Sequence, residues 1–248
     1  MEDSVSGIMR GLGGTAADRA DVLYGGHLEA RYTSTDRMFA VLMLVQWFFA
    51  IALAVLVSPY AWAGKTREFH PHLLAAIFMG GGIALFPVLL AIYRPGHAVT
   101  RHVMCASQML WSALFIHLTG GRIETHFHVF GSLAFVAFYL DWTVLATSTI
   151  VVAADHLIRG LLYPESVYGI PNPEWWRFLE HAGWVVFEDV VLVWFCVNGL
   201  KEMKAVAVRQ AQVESLKESE EAKTAALEMV LKEIQPSLAG GIHSGGIH

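Results

Sequence analysis

Charged side chains are scarce in the middle of the 248-residue chain. Residues 1–37 and 201–235 hold 23 of the 39 Asp, Glu, Lys and Arg residues, which leaves 16 for the other 176 positions. Soluble domains carry about 25% charged residues, and a water-soluble fold cannot bury so much apolar surface. The middle of the chain therefore belongs in a lipid bilayer, which excludes disordered, collagen-like and purely coiled-coil proteins. A net charge of −5 without dense basic stretches excludes a nucleic-acid partner.

Six apolar stretches follow one another along this middle region, and the fourth is short. They cover residues 38–57, 72–93, 102–119, 126–140, 143–163 and 183–200. In lipid, helices satisfy their own backbone hydrogen bonds, so the sequence predicts an all-α, polytopic bundle of six transmembrane helices, 38–200. Lys and Arg near the span ends are more numerous on the side of the N-terminus, which predicts that both termini are cytoplasmic.

The two ends of the chain differ from the middle. Residues 1–37 are predicted to be a cytoplasmic segment, in which 18–24 form a short interfacial helix. Residues 201–235 lack Gly and Pro and predict a cytoplasmic signalling helix that continues the sixth span. Six of its nine heptad a and d positions are apolar, which favours a parallel coiled coil and a homodimer, with a solvated single helix as the alternative. Pro236 is expected to end this helix and leave 236–248 as a flexible tail.

Ionisable side chains are costly inside a membrane span, so their positions indicate function. Here they fall mostly near the predicted outer ends of five of the six helices, whereas His97 and His102 fall on the inner side. The outer group is His70, His72, His117, Glu124, His126, His128, Asp155, His156, Glu180, His181, Glu188 and Asp189. Because several independent helices agree in depth, a shared site is favoured over separate interfacial side chains.

Two His-x-His pairs open predicted helices, at 70–72 and 126–128, and we expect both imidazoles of each pair to reach one centre. Imidazole and carboxylate together suit copper, iron or zinc. The predicted metal ligands are His70, His72, His117, His126, His128, His156, His181 and Glu188. Glu124, Asp155, Arg159 and Asp189 are expected to support them, with Asp155 and Arg159 paired four residues apart. A haem held by two histidines and a metal-free, proton-sensing network are the alternatives.

Residues 117–135 (HLTGGRIETHFHVFGSLAF) resemble the multi-pass N-terminal input domain of bacterial membrane signalling proteins. That class includes sensor histidine kinases, chemoreceptor-like proteins and cyclases with PAS modules. The resemblance covers about residues 32–200 and extends to 35–40 (TDRMFA), 75–81 (AAIFMGG), 141–142 (DW), 155–156 (DH), 166–169 (SVYG) and 180–184 (EHAGW). Residues 225–229 (AALEM) resemble the linker helix that enters a PAS module. The resemblance implies a sensory role in the bacterial inner membrane. It also implies a cytoplasmic output domain or kinase, which we expect to be absent from this chain.

The sequence thus predicts a transmembrane sensory input domain without catalytic activity of its own. Its outer site would bind a transition metal or haem and shift the sixth helix between two states. A His-rich di-metal membrane enzyme, an oxidase or a hydrolase, is the alternative, because it would use the same residues with open coordination positions. A metal transporter is disfavoured, since transport needs ionisable groups through the full depth of the bilayer.

Overall fold

A computed structural model describes residues 14–58, 60–63 and 66–243. The chain divides into two compact units. The larger unit is His27–Leu200, and the smaller is formed by the two ends of the chain, of which 14–26 and 201–243 are described. The histidines and carboxylates of the predicted site all belong to the larger unit.

The elements are helical apart from one short hairpin, which confirms the all-α prediction. Helix α1 covers Gly14–Val57, and the antiparallel strands β1 (Tyr60–Ala63) and β2 (Thr66–Phe69) follow it. Next come α2 (Pro71–Leu74), a π-helical turn (Ala75–Met79), α3 (Gly80–Tyr93) and α4 (Ala98–Leu118). The remaining elements are α5 (Ile123–Val136), a 3-10 turn (Ala137–Tyr139), α6 (Trp142–Leu162), α7 (Glu165–Tyr168) and α8 (Arg177–His243).

Four helical stretches of the described chain have the length and apolar composition to cross a bilayer. They are Ala16–Val57, Pro71–Tyr93, Trp142–Leu162 and Arg177–Ile234. The third and fourth predicted spans correspond to α4 and α5, which do not meet this criterion. Helix α4 contacts α3, α5 and α6 and buries polar side chains such as Gln108, and a helix enclosed by protein needs less apolar surface. Helix α5 has only 14 residues, about 21 Å, against a hydrocarbon core of about 30 Å.

Two predicted helix boundaries differ from the structure. Residues 18–24 are not a separate interfacial helix but part of α1, since no proline interrupts the chain between residues 14 and 58. Helix α8 does not end at Pro236 but continues to His243, although an interior proline removes one backbone hydrogen bond. Residues 244–248, the end of the predicted tail, lie outside the described residues, as do residues 1–13.

Close packing at the glycine-rich start of α3 brings α1 and α3 together. A Cβ atom on Gly80 or Gly81 would lie only 3.0 Å from the Trp47 indole, so the missing side chains make room for this ring. The indole Nε1 of Trp47 donates a 3.1 Å hydrogen bond to the carbonyl of Ile77 in the π-helical turn. Gly80 and Gly81 therefore allow close helix packing, whereas a Cβ atom on Gly82 would meet nothing within 4 Å among the described residues.

A polar clamp joins helix ends on the side of the α3–α4 loop. The buried Asp36 carboxylate accepts hydrogen bonds from the Tyr139 hydroxyl and the Gly96 amide, both at 2.6 Å. The Arg101 guanidinium donates to the Gly96 carbonyl at 2.8 Å and to Asp141 at 3.2 Å. Asp36 and Asp141 belong to the TDRMFA and DW segments, and their positions here give those segments a structural role.

The clamp makes a testable contribution to stability. Replacing Tyr139 with phenylalanine removes one hydrogen bond to the buried Asp36 carboxylate, and we expect the free energy of unfolding to fall by about 1.5–3 kcal/mol. Thermal melting in detergent measures the change. Tyr93→Phe is the matched control, because Tyr93 is 78% exposed. The melting temperature of this variant should equal that of the wild type. Equal loss in both variants would contradict a specific role for Tyr139.

In the smaller unit, α1 and α8 pack through a few small apolar side chains. Ala20 and Leu23 contact Val208 and Ala211. Arg19 donates a 2.7 Å hydrogen bond to Glu214, which lowers the pKa of that carboxyl. The predicted a and d side chains of α8 remain exposed in the single chain, with Val213 at 65% and Leu216 at 67%. The stripe that a coiled coil requires is thus available to a second chain.

Candidate functional site

Three of the predicted ligands meet at one point in the larger unit. We call His126, His156 and His181 the histidine trio; they are contributed by α5, α6 and α8. The ring centroids are 5.6 Å apart for His126 and His156, 5.3 Å for His126 and His181, and 5.9 Å for His156 and His181. His126 and His156 are each only 5% exposed. Three helices therefore bring three imidazoles into mutual contact.

Each ring of the trio is held by its own helix in the same way. Nδ1 of each ring lies 2.9–3.0 Å from the carbonyl oxygen four residues earlier, which belongs to Arg122, Val152 or Arg177. A carbonyl only accepts hydrogen bonds, so Nδ1 carries the proton in all three rings. In a neutral imidazole this leaves a lone pair on Nε2, which is the arrangement of a metal-binding histidine. Nε2 of His126 is buried and has no hydrogen-bond partner among the described residues.

A pocket of about 130 Å³ opens beside the trio. The three imidazoles line one part of it, and the rest of its wall is largely apolar. The other lining residues are Val129, Phe130, Thr149, Val152, Ala153, Phe178, Ala182, Val185 and Val186. A second cavity, of about 390 Å³, also borders His156 and is lined by Tyr168 and residues of the 171–178 segment. His156 and Phe178 thus border both the small apolar pocket and the wider cavity.

The spacing of the trio can be compared with that of a metal site. Imidazole nitrogens bind zinc at about 2.0–2.1 Å, which places the centres of two rings about 5.2 Å apart on a tetrahedral ion. The trio spacings of 5.3–5.9 Å are close to this value. As the side chains stand, no group of three His, Cys, Asp or Glu residues in the described part of the chain is arranged to hold an ion. Binding at the trio therefore requires the rings to reorient.

Three other predicted ligands form the second histidine group, His70, His72 and His117. The His72 ring contacts the other two, with centroids at 4.1 Å from His70 and 4.9 Å from His117. His70 is the N-cap of α2, since its Nδ1 accepts a 3.1 Å hydrogen bond from the backbone N–H of His72. His117 Nδ1 lies 2.8 Å from the hydroxyl of Ser166. The eight predicted ligands are therefore not gathered in one site.

An ion pair lies between the two histidine groups. Arg159 donates two hydrogen bonds to Asp155, at 2.7 and 2.5 Å, as expected for residues four apart on a helix. The other end of this guanidinium donates to the Ser166 hydroxyl at 2.9 Å, which in turn contacts His117. Asp155 is also 3.5 Å from Nδ1 of His156. A continuous row of polar contacts thus connects His156 of the trio with His117.

The expectation that His126 and His128 reach one centre is wrong. Both lie inside α5, which begins at Ile123, and residues two apart point about 200° away from each other around a helix. The His128 ring enters a separate network, with Nε2 at 3.0 Å from the Gln46 amide and Nδ1 at 2.8 Å from the Ser112 hydroxyl. Gln46 and Ser112 were not predicted, because isolated polar residues in apolar spans give no signal of their partners.

Of the predicted carboxylates, Asp155 contacts the trio through His156, whereas Asp189, Glu188 and Glu124 lie elsewhere. Asp189 accepts a 2.5 Å hydrogen bond from Thr149, a pocket residue, and its other oxygen is buried without a partner in the part of the chain that the structure describes. Oε2 of Glu188 is also buried and has no partner within residues 14–58, 60–63 and 66–243, and Glu188 does not line the pocket. Glu124 is exposed on the first turn of α5. Sequence reasoning also missed Ser166 as a partner of His117, although the SVYG segment was part of the family resemblance.

Three glycines fix the loops that carry these side chains. Gly121 and Gly169 both have positive φ, +74° and +69°, and their backbones touch. A Cβ atom on Gly121 would overlap the backbone nitrogen of Gly169 and lie 2.9 Å from the Glu165 carbonyl. Gly120 also has positive φ. This contact joins the loop before α5, which carries His126, to α7, which carries Ser166.

Comparison with known proteins gives one informative relative. The chain is 28% identical over 157 residues to the transducer protein Htr8 of Halobacterium salinarum. The match covers 60% of this chain and 24% of the relative, so the chain spans about a quarter of that protein. No family model matches, and no solved structure matches. The similarity is thus to part of a signal-transducer-like protein.

Proposed function

We propose that the chain is the membrane sensory domain of a signal-transduction protein and that the histidine trio binds a transition-metal ion. The observation that carries the proposal is the close spacing of three imidazoles from three helices. Each imidazole donates a hydrogen bond from Nδ1 to a backbone carbonyl. Copper, iron and zinc all accept such ligands. The similarity to a transducer protein supports the signalling part of the proposal.

An ion fits this site better than haem does. Two imidazoles on opposite faces of a haem iron would have ring centres about 6.4 Å apart, with the macrocycle between them. The trio spacings are shorter, and the third ring occupies the side where a macrocycle would lie. The pocket of about 130 Å³ is also smaller than the about 300–1,000 Å³ typical of organic ligands.

The signal would arise because the three helices are farther apart without the ion than with it. Closing the trio around an ion reorients the rings of His126, His156 and His181 and draws α5, α6 and α8 together. An ion that binds this closed state more tightly shifts the population towards it. Helix α8 carries His181 near one end and the exposed apolar stripe beyond residue 201. We propose that this stripe pairs with a second copy and passes the shift to a cytoplasmic output domain.

Metal analysis of detergent-purified, chelator-stripped protein titrated with zinc tests the site. We expect one tightly bound ion, and His126→Ala, His156→Ala or His181→Ala should each weaken its binding by at least about 100-fold, because a ligand is lost. His102→Ala is the matched control, since His102 is not part of the trio. It lies near the start of α4 and its Nδ1 forms a hydrogen bond with Thr147. Full binding by the three variants would overturn the metal proposal.

Hydrogen exchange tests the sensory part separately. Adding zinc to the wild-type chain should slow exchange of backbone amides in residues 177–200, because the ion fixes α8 through His181. The His181→Ala variant should show no such change. Tight binding without any change in exchange would leave a metal site but overturn its sensory role.

A further inference from the structure

The second histidine group has the features of a metal site of its own. We propose that His72 and His117 bind a second first-row transition-metal ion, separate from the ion at the trio. Their ring centroids are 4.9 Å apart, close to the about 5.2 Å expected for two imidazoles on a tetrahedral ion. The two residues come from α2 and α4, neither of which contributes to the trio. The proposal does not depend on the trio binding metal.

An unsatisfied nitrogen marks His72 as a ligand. Its Nδ1 is buried and has no hydrogen-bond partner among the described residues, which is rare for a buried polar atom and calls for an unseen partner such as an ion. The ring itself is held between those of His70 and His117. Because this nitrogen has almost no exposed surface, an ion would bind its lone pair only after the neighbouring side chains move aside.

His117 is oriented by hydrogen bonds from outside the group. Ser166 accepts a hydrogen bond from Arg159 at 2.9 Å, and its hydroxyl lies 2.8 Å from Nδ1 of His117. A hydroxyl can donate or accept, so the His117 tautomer that is protonated at Nδ1 can donate this proton to Ser166 while Ser166 accepts from Arg159. This leaves the Nε2 lone pair of His117 for a metal, with Ser166 as the positioning residue behind it.

His70 acts as a support rather than a ligand. Its Nδ1 accepts the backbone N–H of His72, so its proton is on Nε2 and that nitrogen has no lone pair to give. The site therefore offers two imidazoles, and water would complete the coordination of the ion, because His72 and His117 are both partly exposed. With one ligand fewer than the trio, this site should bind the same ion more weakly, by at least about 10-fold.

Titration of the full, chelator-stripped chain with Co²⁺ tests the second site. Equilibrium dialysis should give two ions per chain, one tight and one weaker, and the visible spectrum of cobalt reports imidazole coordination of each. The double variant His72→Ala with His117→Ala should lose the weaker ion and keep the tight one. His117→Gln, which keeps a hydrogen-bonding side chain beside Ser166, should do the same if the double variant is unstable. His97→Ala, outside both groups, should bind two ions.

Ser166→Ala tests the positioning role by comparing the affinities of the two ions, because a general loss of folding would weaken both. It should weaken the second ion by about 10–100-fold while leaving the affinity of the tight ion unchanged. An equal effect on both ions would overturn this role.

The two proposals fail differently in this experiment. A single ion lost only in the trio variants would overturn the second site and leave the proposed function intact. A single ion lost only in the His72 and His117 variants would support the second site and overturn metal binding by the trio. Binding that no histidine variant changes would overturn both.

Discussion

Replacing Gly121 with alanine is expected to destabilise the larger unit by about 4 kcal/mol or more, because the change combines two unfavourable effects. The φ of Gly121 is +74°, which side chains rarely adopt, and the new Cβ would overlap the backbone of Gly169. The neighbouring atoms are backbone and cannot move aside as a flexible side chain would. A loss of this size lowers the melting temperature by roughly 8–16 °C for a domain of this length.

Gly131 provides the control, because it lies in α5, the helix that follows Gly121. A Cβ on Gly131 would meet nothing within 4 Å, and this residue lies inside α5 with ordinary helical backbone. Gly131→Ala should therefore leave the melting temperature unchanged or raise it, since alanine favours a helix by about 0.5–1 kcal/mol. Similar melting of Gly121→Ala and the wild type would show that the contact between the two loops does not exist in solution.

Removing the charge of Arg159 is the second large effect that we expect. Arg159→Met leaves the Asp155 carboxylate, whose side chain is only 15% exposed, without its cation. Loss of one partner from such a pair costs about 3–5 kcal/mol, because the remaining charge is uncompensated. The variant also removes the hydrogen bond to Ser166. Thermal melting of the purified protein measures the loss.

A double-mutant cycle separates the pair from the rest of the site. Adding Asp155→Asn to Arg159→Met should restore much of the lost stability, since no uncompensated charge then remains. Lys223→Met is the control, because its ion pair with Glu220 is about 70% exposed on both sides and should contribute less than about 1 kcal/mol. Additive losses in the Asp155 and Arg159 variants would show that the two side chains do not interact.

The features that sequence predicted well are those set by neighbours along one helix. The apolar stretches gave the helices, and the spacing of Asp155 and Arg159 gave their ion pair, because i and i+4 side chains share a face. The error at His126 and His128 also concerns residues that are neighbours along one helix. The pair was placed at the start of a helix, where the two rings can converge, but α5 begins three residues earlier at Ile123.

Contacts between distant segments could not be predicted from a single sequence. The Asp36 carboxylate bonds to Tyr139, 103 residues away, and nothing in either local pattern indicates the other residue. Gly121 and Gly169 touch only because both adopt positive φ, and a glycine in a loop has many possible reasons. The division of the histidines into two groups likewise depends on which helices adjoin. The positions of the histidines near the ends of predicted helices indicated neighbouring side chains, whereas the direction of each ring around its helix could not be predicted.

The hydrogen bonds that orient the trio have a consequence for how affinity can be controlled. The acceptors are the main-chain carbonyls of Arg122, Val152 and Arg177, so no side-chain substitution can delete them. Each imidazole is anchored to the backbone of its own helix until an ion reorients it, and the distances between the three donor nitrogens change whenever one helix slides or tilts against another. Bilayer thickness acts on helix tilt. An ion held here would consequently bind with an affinity that depends on the lipids around the protein, with every ligand unchanged.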